Sequence, residues 1–228
     1  MKINKLDWDS RFFNLKIGEI FIENSQKEDI NSDFDLIYVK QNISSSIEIL
    51  GFEKKFQETK LIFHKILEEE NIFLEENKII DFEENPIPKE SFYKLAYVSG
   101  NKSRFFLDGN FGVEKFKKLY QKWIDNSITK EFADKIFYTL EDEKISGFVT
   151  LQKKNNYAII GLIAVDPKIQ SQGIGTQLIK KCENYCIEEG IKELKIPTQK
   201  ENKQACNFYQ KLGYSIAEKL TIKHFWKS

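Results

Sequence analysis

The stretch IGLIAVDPKIQSQGIGTQLIKKCENYCIEEG, Ile160 to Gly190, decides how the rest of the chain is read. Ile160, Leu162, Ile163, Ala164 and Val165 form an apolar run too short for a free-standing helix and bounded by Asp166-Pro167, which predicts a buried strand. Pro167 has no backbone N–H, so ladder pairing should stop there. Further on, Ile174, Leu178, Cys182, Tyr185 and Cys186 recur on one face of a helix, with Gln177, Lys180, Lys181 and Glu183 mostly opposite.

Between strand and helix lies Gln170-Ser171-Gln172-Gly173-Ile174-Gly175. Glycines at 173 and 175 leave backbone N–H groups unshielded at the first turn of a helix, where unpaired donors and the positive end of the helix dipole favour an anion. A diphosphate suits that geometry, although two glycines can also simply make a strand-to-helix turn. Two commoner phosphate loops are excluded. The dinucleotide fingerprint needs a third glycine where Leu178 stands, and a nucleotide-hydrolysing P-loop needs Lys followed by Ser or Thr where the chain has Thr176-Gln177.

The loop resembles the coenzyme A loop of the GNAT acetyltransferases, Gln/Arg-x-x-Gly-x-Gly/Ala. Downstream, Asn202-Lys203-Gln204-Ala205-Cys206-Asn207-Phe208-Tyr209-Gln210-Lys211-Leu212-Gly213-Tyr214 is similar to that family's last helix, Asn-x-x-Ala-x-x-Phe-Tyr-x-x-x-Gly-Phe/Tyr. The two motifs stand in the family's order, with a strand expected from Glu193 to Pro197 between them. The resemblance implies a GNAT fold, an α/β architecture whose mixed, largely antiparallel sheet is flanked by helices. It also implies an acetyl-CoA cofactor held by Leu162, Ile163, Ala164 and Val165 of the strand, by Gln170, Ser171, Gln172, Gly173, Ile174, Gly175 and Thr176 of the loop, and by Asn202 and Tyr209. Tyr209 is then the acid that protonates the departing thiolate. Asn202, a good helix N-cap on physical grounds, also touches the cofactor. A backbone N–H near Ile163 to Val165 is the expected donor to the thioester carbonyl. No carboxylate lies between Asn155 and Val165, where many such enzymes place a general base, and no base is assigned.

Composition narrows the alternatives. The 228 residues suffice for one large or two small domains, and lysine plus arginine equals aspartate plus glutamate at 35 each, so no basic excess points to nucleic acid. No apolar run approaches the roughly 20 residues that span a bilayer, and MKINKLDWDSRFF lacks the apolar core of a signal peptide. No membrane insertion and a cytoplasmic location are expected. Three cysteines, two of them at helical spacing, argue against a disulfide framework. His64 and His224 are the only histidines, which gives a zinc site or a histidine triad little to work with; no metal is expected.

Three segments are expected: residues 1–67 as a small N-terminal α/β domain, 68–88 as a linker with the first strand of the second domain, and 89–228 as the acetyltransferase domain. In the first segment the pattern predicts strands at Lys16 to Ile22, Asp35 to Lys40 and Gln57 to Lys65, and a short helix near Ser44 to Leu50. Ile47 to Phe52 echoes Phe208 to Tyr214 across one gap, as a degenerate half of the same fold would. Downstream, a strand is expected around Lys78 to Phe82, helices at Lys89 to Val98 and Val113 to Ser127, a loop from Lys102 to Phe111, strands at Lys135 to Leu140 and Ile145 to Lys153, and two C-terminal strands.

Most of the chain also resembles the dTDP-fucosamine acetyltransferases. The likeness rests on Leu6-Asp7-Trp8-Asp9-Ser10-Arg11-Phe12-Phe13, Ser103-Arg104-Phe105 with Asp108, Phe111, Tyr120 and Trp123-Ile124, Thr198-Gln199, and Trp226. It implies N-acetylation of a dTDP-linked amino-dideoxy sugar, the 4-amino-4,6-dideoxygalactose or its 3-amino isomer, in cell-surface polysaccharide (lipopolysaccharide) synthesis. Arg104 is then a partner for the nucleotide diphosphate, and Phe105, Trp8 or Phe13 stacks on base or sugar. The alternatives are a peptide or other small-molecule amine, and a non-catalytic acetyl-CoA-binding module. Family members of this kind often pair, and the aromatic-rich surface would permit a homodimer.

Overall fold

A computed structural model describes residues 3–22, 27–28, 33–42, 46–68 and 79–228. Its main body is a ten-stranded sheet in the order β1-β2-β4-β12-β6-β11-β10-β9-β8-β7. The N-terminal strands are β1 (Asn4–Lys5), β2 (Ile17–Phe21), β4 (Leu36–Gln41) and β6 (Phe52–Ile66). The later ones are β7 (Ile80–Asp81), β8 (Lys135–Glu141), β9 (Lys144–Lys153), β10 (Ala158–Val165), β11 (Glu193–Gln199) and β12 (Ser215–Lys227). Among the described residues of this sheet, β2–β4 and β10–β11 pair in parallel and the other neighbours antiparallel, so it is mixed and largely antiparallel as expected. Two short strands, β3 (Lys27–Glu28) and β5 (Glu48–Ile49), pair apart from it.

Helices cover both faces. On one lie α1 (Asp7–Phe13), α2 (Glu90–Gly100), the one-turn α3 (Arg104–Leu107) and α4 (Gly112–Ile128); on the other lie α5 (Ile174–Glu188) and α6 (Lys203–Lys211). α4 forms because Phe116, Leu119, Tyr120 and Ile124 fall on one stripe, all buried. α2 packs hard against it: a Cβ at Gly100 would lie 2.2 Å from the Tyr120 ring. Only glycine admits that approach.

The segments inferred from sequence interlock. β12 pairs with both β4 and β6, and β6 also pairs with β11. Phe13, Ile17, Leu36 and Tyr38 share one buried cluster with Phe92, Phe148 and Leu162. The strands β1, β2, β4 and β6 are therefore part of the same sheet as the strands of residues 79–228. Residues 69–78 of the expected linker, with Lys78 of the expected strand, lie outside the described residues, as do Ser44 and Ser45 of the expected helix.

Other expectations are corrected. Glu48–Ile49 is a strand, because Ile47 and Ile49 are buried and Glu48 is exposed, a period of two. The expected loop from Lys102 to Phe111 contains α3. The two expected C-terminal strands are the single β12, which bends at a bulge between Ile216 and Glu218 without ending.

Candidate active site

β10 and β11 pair only at Ala158↔Leu194 and Ile159↔Lys195, yet they run on to Val165 and Gln199. The strands part, and a cleft of about 1080 Å³ opens through the sheet. A bulge in β10 between Ile160 and Ile163 turns its side chains over. Ala158 and Ile160 pack toward α5, whereas Leu162 and Ala164 pack toward α2. The main chain of Leu162 to Val165 consequently lines the gap.

On the α5 side the glycine loop forms the cleft wall. Asp166 caps a single 3-10 turn (Pro167–Ile169) through the Lys168 amide at 2.9 Å, and Gln170 reaches back to the Val165 carbonyl at 3.3 Å. Ser171 (φ 69°) and Gly173 (φ 85°) adopt the left-handed region before α5 starts. No side chain caps that helix, so its first amides remain open to the cleft. The two glycines do different work: Gly173 supplies the backbone conformation, while a Cβ at Gly175 would sit 3.2 Å from Phe208 of α6. An uncapped helix start, a left-handed approach and a parted strand edge together suit the diphosphate and extended arm of coenzyme A. Gln172 is the exception among the expected contacts. It turns away and lines a separate small pocket with Ile174 and Gln177.

α6 closes the same side. Asn202 Oδ1 accepts from the Ala205 amide at 3.3 Å, the expected cap. Tyr209 lines the cleft but is only 4% exposed, its ring held by Phe63 at 5.6 Å and Phe208 at 5.4 Å. Burial pushes its phenol above the ordinary value.

The α1–α4 side is polar, and much of it was not foreseen. Arg104 lies between the rings of Tyr38 (4.3 Å) and Phe105 (4.7 Å), and its Nη1 atom is buried without a hydrogen-bond partner. Trp8, stacked on Phe12 at 5.2 Å, and Phe105 line the cleft with it. Phe13 does not. It is 2% exposed and stacks behind Phe105 at 5.8 Å, because aromatic content alone cannot separate a core ring from a site ring. The register brings Lys40, Ile222 and Glu58 into one row across β4, β12 and β6, with Tyr38, His224 and Phe56 in the next. Asp9, Lys40, Glu58, Lys60, Ser103 and Tyr120 line this half, and none was assigned a site role from sequence. The one available signal was the pair of charges at alternate positions, Glu58 and Lys60, inside a long strand.

Burial sets their chemistry. Desolvation raises the Glu58 and Asp9 carboxyls and lowers the Lys60 ammonium, with the Arg104 charge opposing the rise at both acids and adding to the fall at Lys60. Below Arg104, the Asp108 carboxylate accepts from His224 Nδ1 at 2.6 Å and Trp226 Nε1 at 2.9 Å. Burial takes His224 down to about 4, so its imidazole is neutral and Asp108 fixes the Nδ1–H tautomer. This network ties the turn after α3 to β12 and so positions Arg104.

Comparison with known proteins gives a consistent picture. The acetyltransferase (GNAT) family model matches residues 102–214. An uncharacterized N-acetyltransferase of Methanocaldococcus jannaschii is 32% identical over 117 residues, 47% of this chain and 52% of that protein. Streptothricin acetyltransferase A of Bacillus subtilis is 29% identical over 137 residues, 60% of this chain and 79% of that protein. The chain spans about half the length of the first curated relatives it matches. A tandem GNAT protein from the clavulanic acid biosynthesis pathway superposes with a TM-score of 0.56 at 10% identity, covering 86% of this chain and 65% of that one, a likeness of fold.

Proposed function

We propose, from the match of residues 102–214 to the acetyltransferase (GNAT) family model, that this chain transfers an acetyl group from acetyl-CoA to the amine of a small molecule, and that the acceptor is a dTDP-linked amino-dideoxy sugar. One observation carries the reading: a single cleft passes through the sheet, with uncapped helix amides on one face and the unpartnered Arg104 Nη1 on the other. Acetyl-CoA, when bound, supplies the acetyl group as an activated thioester. The amides of the glycine loop hold its diphosphate, and a main-chain N–H of the Ile163 to Val165 segment polarises the thioester carbonyl. Tyr209, kept protonated by burial, gives its proton to the departing sulfur. Asn202 fixes the start of α6 and so the position of Tyr209. On the acceptor side Arg104 pairs with the sugar's diphosphate, and Trp8 and Phe105 offer ring faces to the base.

A second reading is favoured by the similarity to streptothricin acetyltransferase and by Asp9 in the cleft wall: an acceptor that is an amine-bearing antibiotic, its cationic groups drawn to that carboxylate. Free-thiol release from acetyl-CoA, measured with dTDP-3-amino and dTDP-4-amino-6-deoxyhexoses, streptothricin and a peptide amine, separates the two. Turnover confined to a dTDP-sugar is expected. Turnover confined to streptothricin replaces the sugar assignment with the antibiotic one, and acetyl-CoA binding without any turnover removes both.

The glycine loop provides its own check. Gly173→Ala puts a side chain at φ 85°, a strain of about 1–2 kcal/mol. Acetyl-CoA affinity measured by calorimetry should therefore weaken about tenfold. Unchanged affinity would show that the loop conformation is not used in binding.

A further inference from the structure

The reaction needs a group to take the proton of the acceptor amine, and β10 offers no carboxylate for it. We propose that Glu58, on β6, is that base: a catalytic residue contributed by the N-terminal segment and facing the acceptor half of the cleft. The proposal rests on the transferase reading above.

Three observations place Glu58 there. It lines the cleft although it is only 6% exposed, and its Oε2 atom is buried without a hydrogen-bond partner. A carboxylate oxygen left without a donor in a protein interior is costly, and an ammonium or amine N–H entering the cleft would satisfy it. The register sets the direction. Leu61 and Phe63 of β6 pack with Tyr209 on the α5–α6 face, whereas Glu58 stands in the row with Lys40 and Ile222 on the opposite face, beneath α3. Acid and base thus approach the gap from opposite faces, so one can meet the incoming amine and the other the departing sulfur at the same acyl carbon.

The proton count closes. Glu58 takes one proton from the acceptor ammonium and releases it to solvent through the open cleft. The freed lone pair forms the N–C bond as the C–S bond breaks, the sulfur takes the Tyr209 proton, and the second nitrogen proton returns to the tyrosinate oxygen. The net change is R–NH3+ plus acetyl-CoA giving R–NH–CO–CH3, CoA–SH and one proton.

The charged and titratable groups around Glu58 are Lys60 on its own strand, Arg104 from α3, Asp9 from α1, Lys40 and Tyr38 from β4, His224 from β12, Tyr120 from α4 and Glu201 before α6. Burial raises Glu58 most, with Arg104 and Lys60 opposing. Its deprotonated form, the one that accepts a proton, is therefore lost on acidification above the ordinary glutamate range.

The test is kcat against pH for wild type, Glu58→Gln, Glu58→Asp and Asp9→Asn, with two acceptors whose amines differ in basicity. In wild type the acid limb should stand at one pH for both acceptors, because it belongs to the protein. In Glu58→Gln, kcat at pH 7 should fall about 100-fold with acetyl-CoA affinity unchanged, and the remaining limb should move with the amine. Glu58→Asp should keep the fixed limb at reduced kcat, which holds the test open if Gln disturbs folding. Wild-type kcat and limb in Glu58→Gln would overturn the proposal, as would loss of the limb only in Asp9→Asn. A wild type that acetylates no amine would overturn the transferase reading, and this assignment with it.

Discussion

Replacing Tyr209 with Phe will lower thiol release by about 100-fold or more while leaving acetyl-CoA affinity and thermal stability near wild type. The ring is held by Phe63, Phe208 and Tyr214, with centroids 5.6, 5.4 and 6.4 Å away, and phenylalanine fills the same space. Only the hydroxyl is lost, and with it the proton offered to sulfur. Burial raises the phenol, so it stays protonated across the working range and adds no basic limb to the rate below its ordinary 10. Steady-state kinetics beside calorimetric titration and a melting curve separate the effects. Near-normal turnover in Tyr209→Phe would pass the acid role to water.

The second large effect falls on stability. Asp108 is 3% exposed and serves His224, Trp226 and Asn110 at once, so Asp108→Ala leaves the buried His224 Nδ1–H and the half-buried Trp226 Nε1–H without an acceptor. Leaving these neutral donors unsatisfied costs about 2–4 kcal/mol in all, which for a chain of this size lowers Tm by about 10 °C. His224 adds a pH signature. Its folded pKa of about 4 lies below the ordinary 6.5, so between these values the unfolded chain binds a proton that the folded chain refuses. This contribution is fully present above pH 6.5 and is lost as pH falls toward 4, for a total of about 3 kcal/mol. Denaturant midpoints at several pH values should fall more steeply in wild type than in His224→Gln across that window. Parallel slopes would mean that His224 titrates normally.

The parts of the site legible in the sequence are those whose geometry is local. Gly173, Gly175, Asn202 and Tyr209 keep fixed spacing within one loop or two turns of one helix, and all four line the cleft. Within that loop the Gln172 side chain points into a separate small pocket, because neighbouring positions of a turn face different ways, which spacing does not encode. Glu58 and Lys60 were invisible for another reason. On a strand of alternating charges they look like a solvent face, and α3 lying over β6 buries Glu58 and half-buries Lys60. Phe13 and Phe105 are neighbours in space with similar composition around them, and packing order alone decides which one meets the cleft. The merged sheet was hidden too, since sequence shows β2, β4 and β6 but not that β12 lies between β4 and β6.

That last feature governs how the protein is made. The chain leaves the ribosome from its N-terminus, so β4 and β6 emerge well before β12, the strand that joins them. Phe52 waits for Lys227, Thr59 for Thr221, and Asp108 for a histidine 116 residues away. Until then both strands carry open hydrogen-bonding edges, and Arg104 lacks the platform beneath it. Pairings of such long range close slowly. The α1–α4 half of the cleft thus cannot be complete before β12 emerges, and a nascent chain halted before Ser215 would carry the glycine loop and Tyr209 in sequence but lack the strand that joins β4 to β6.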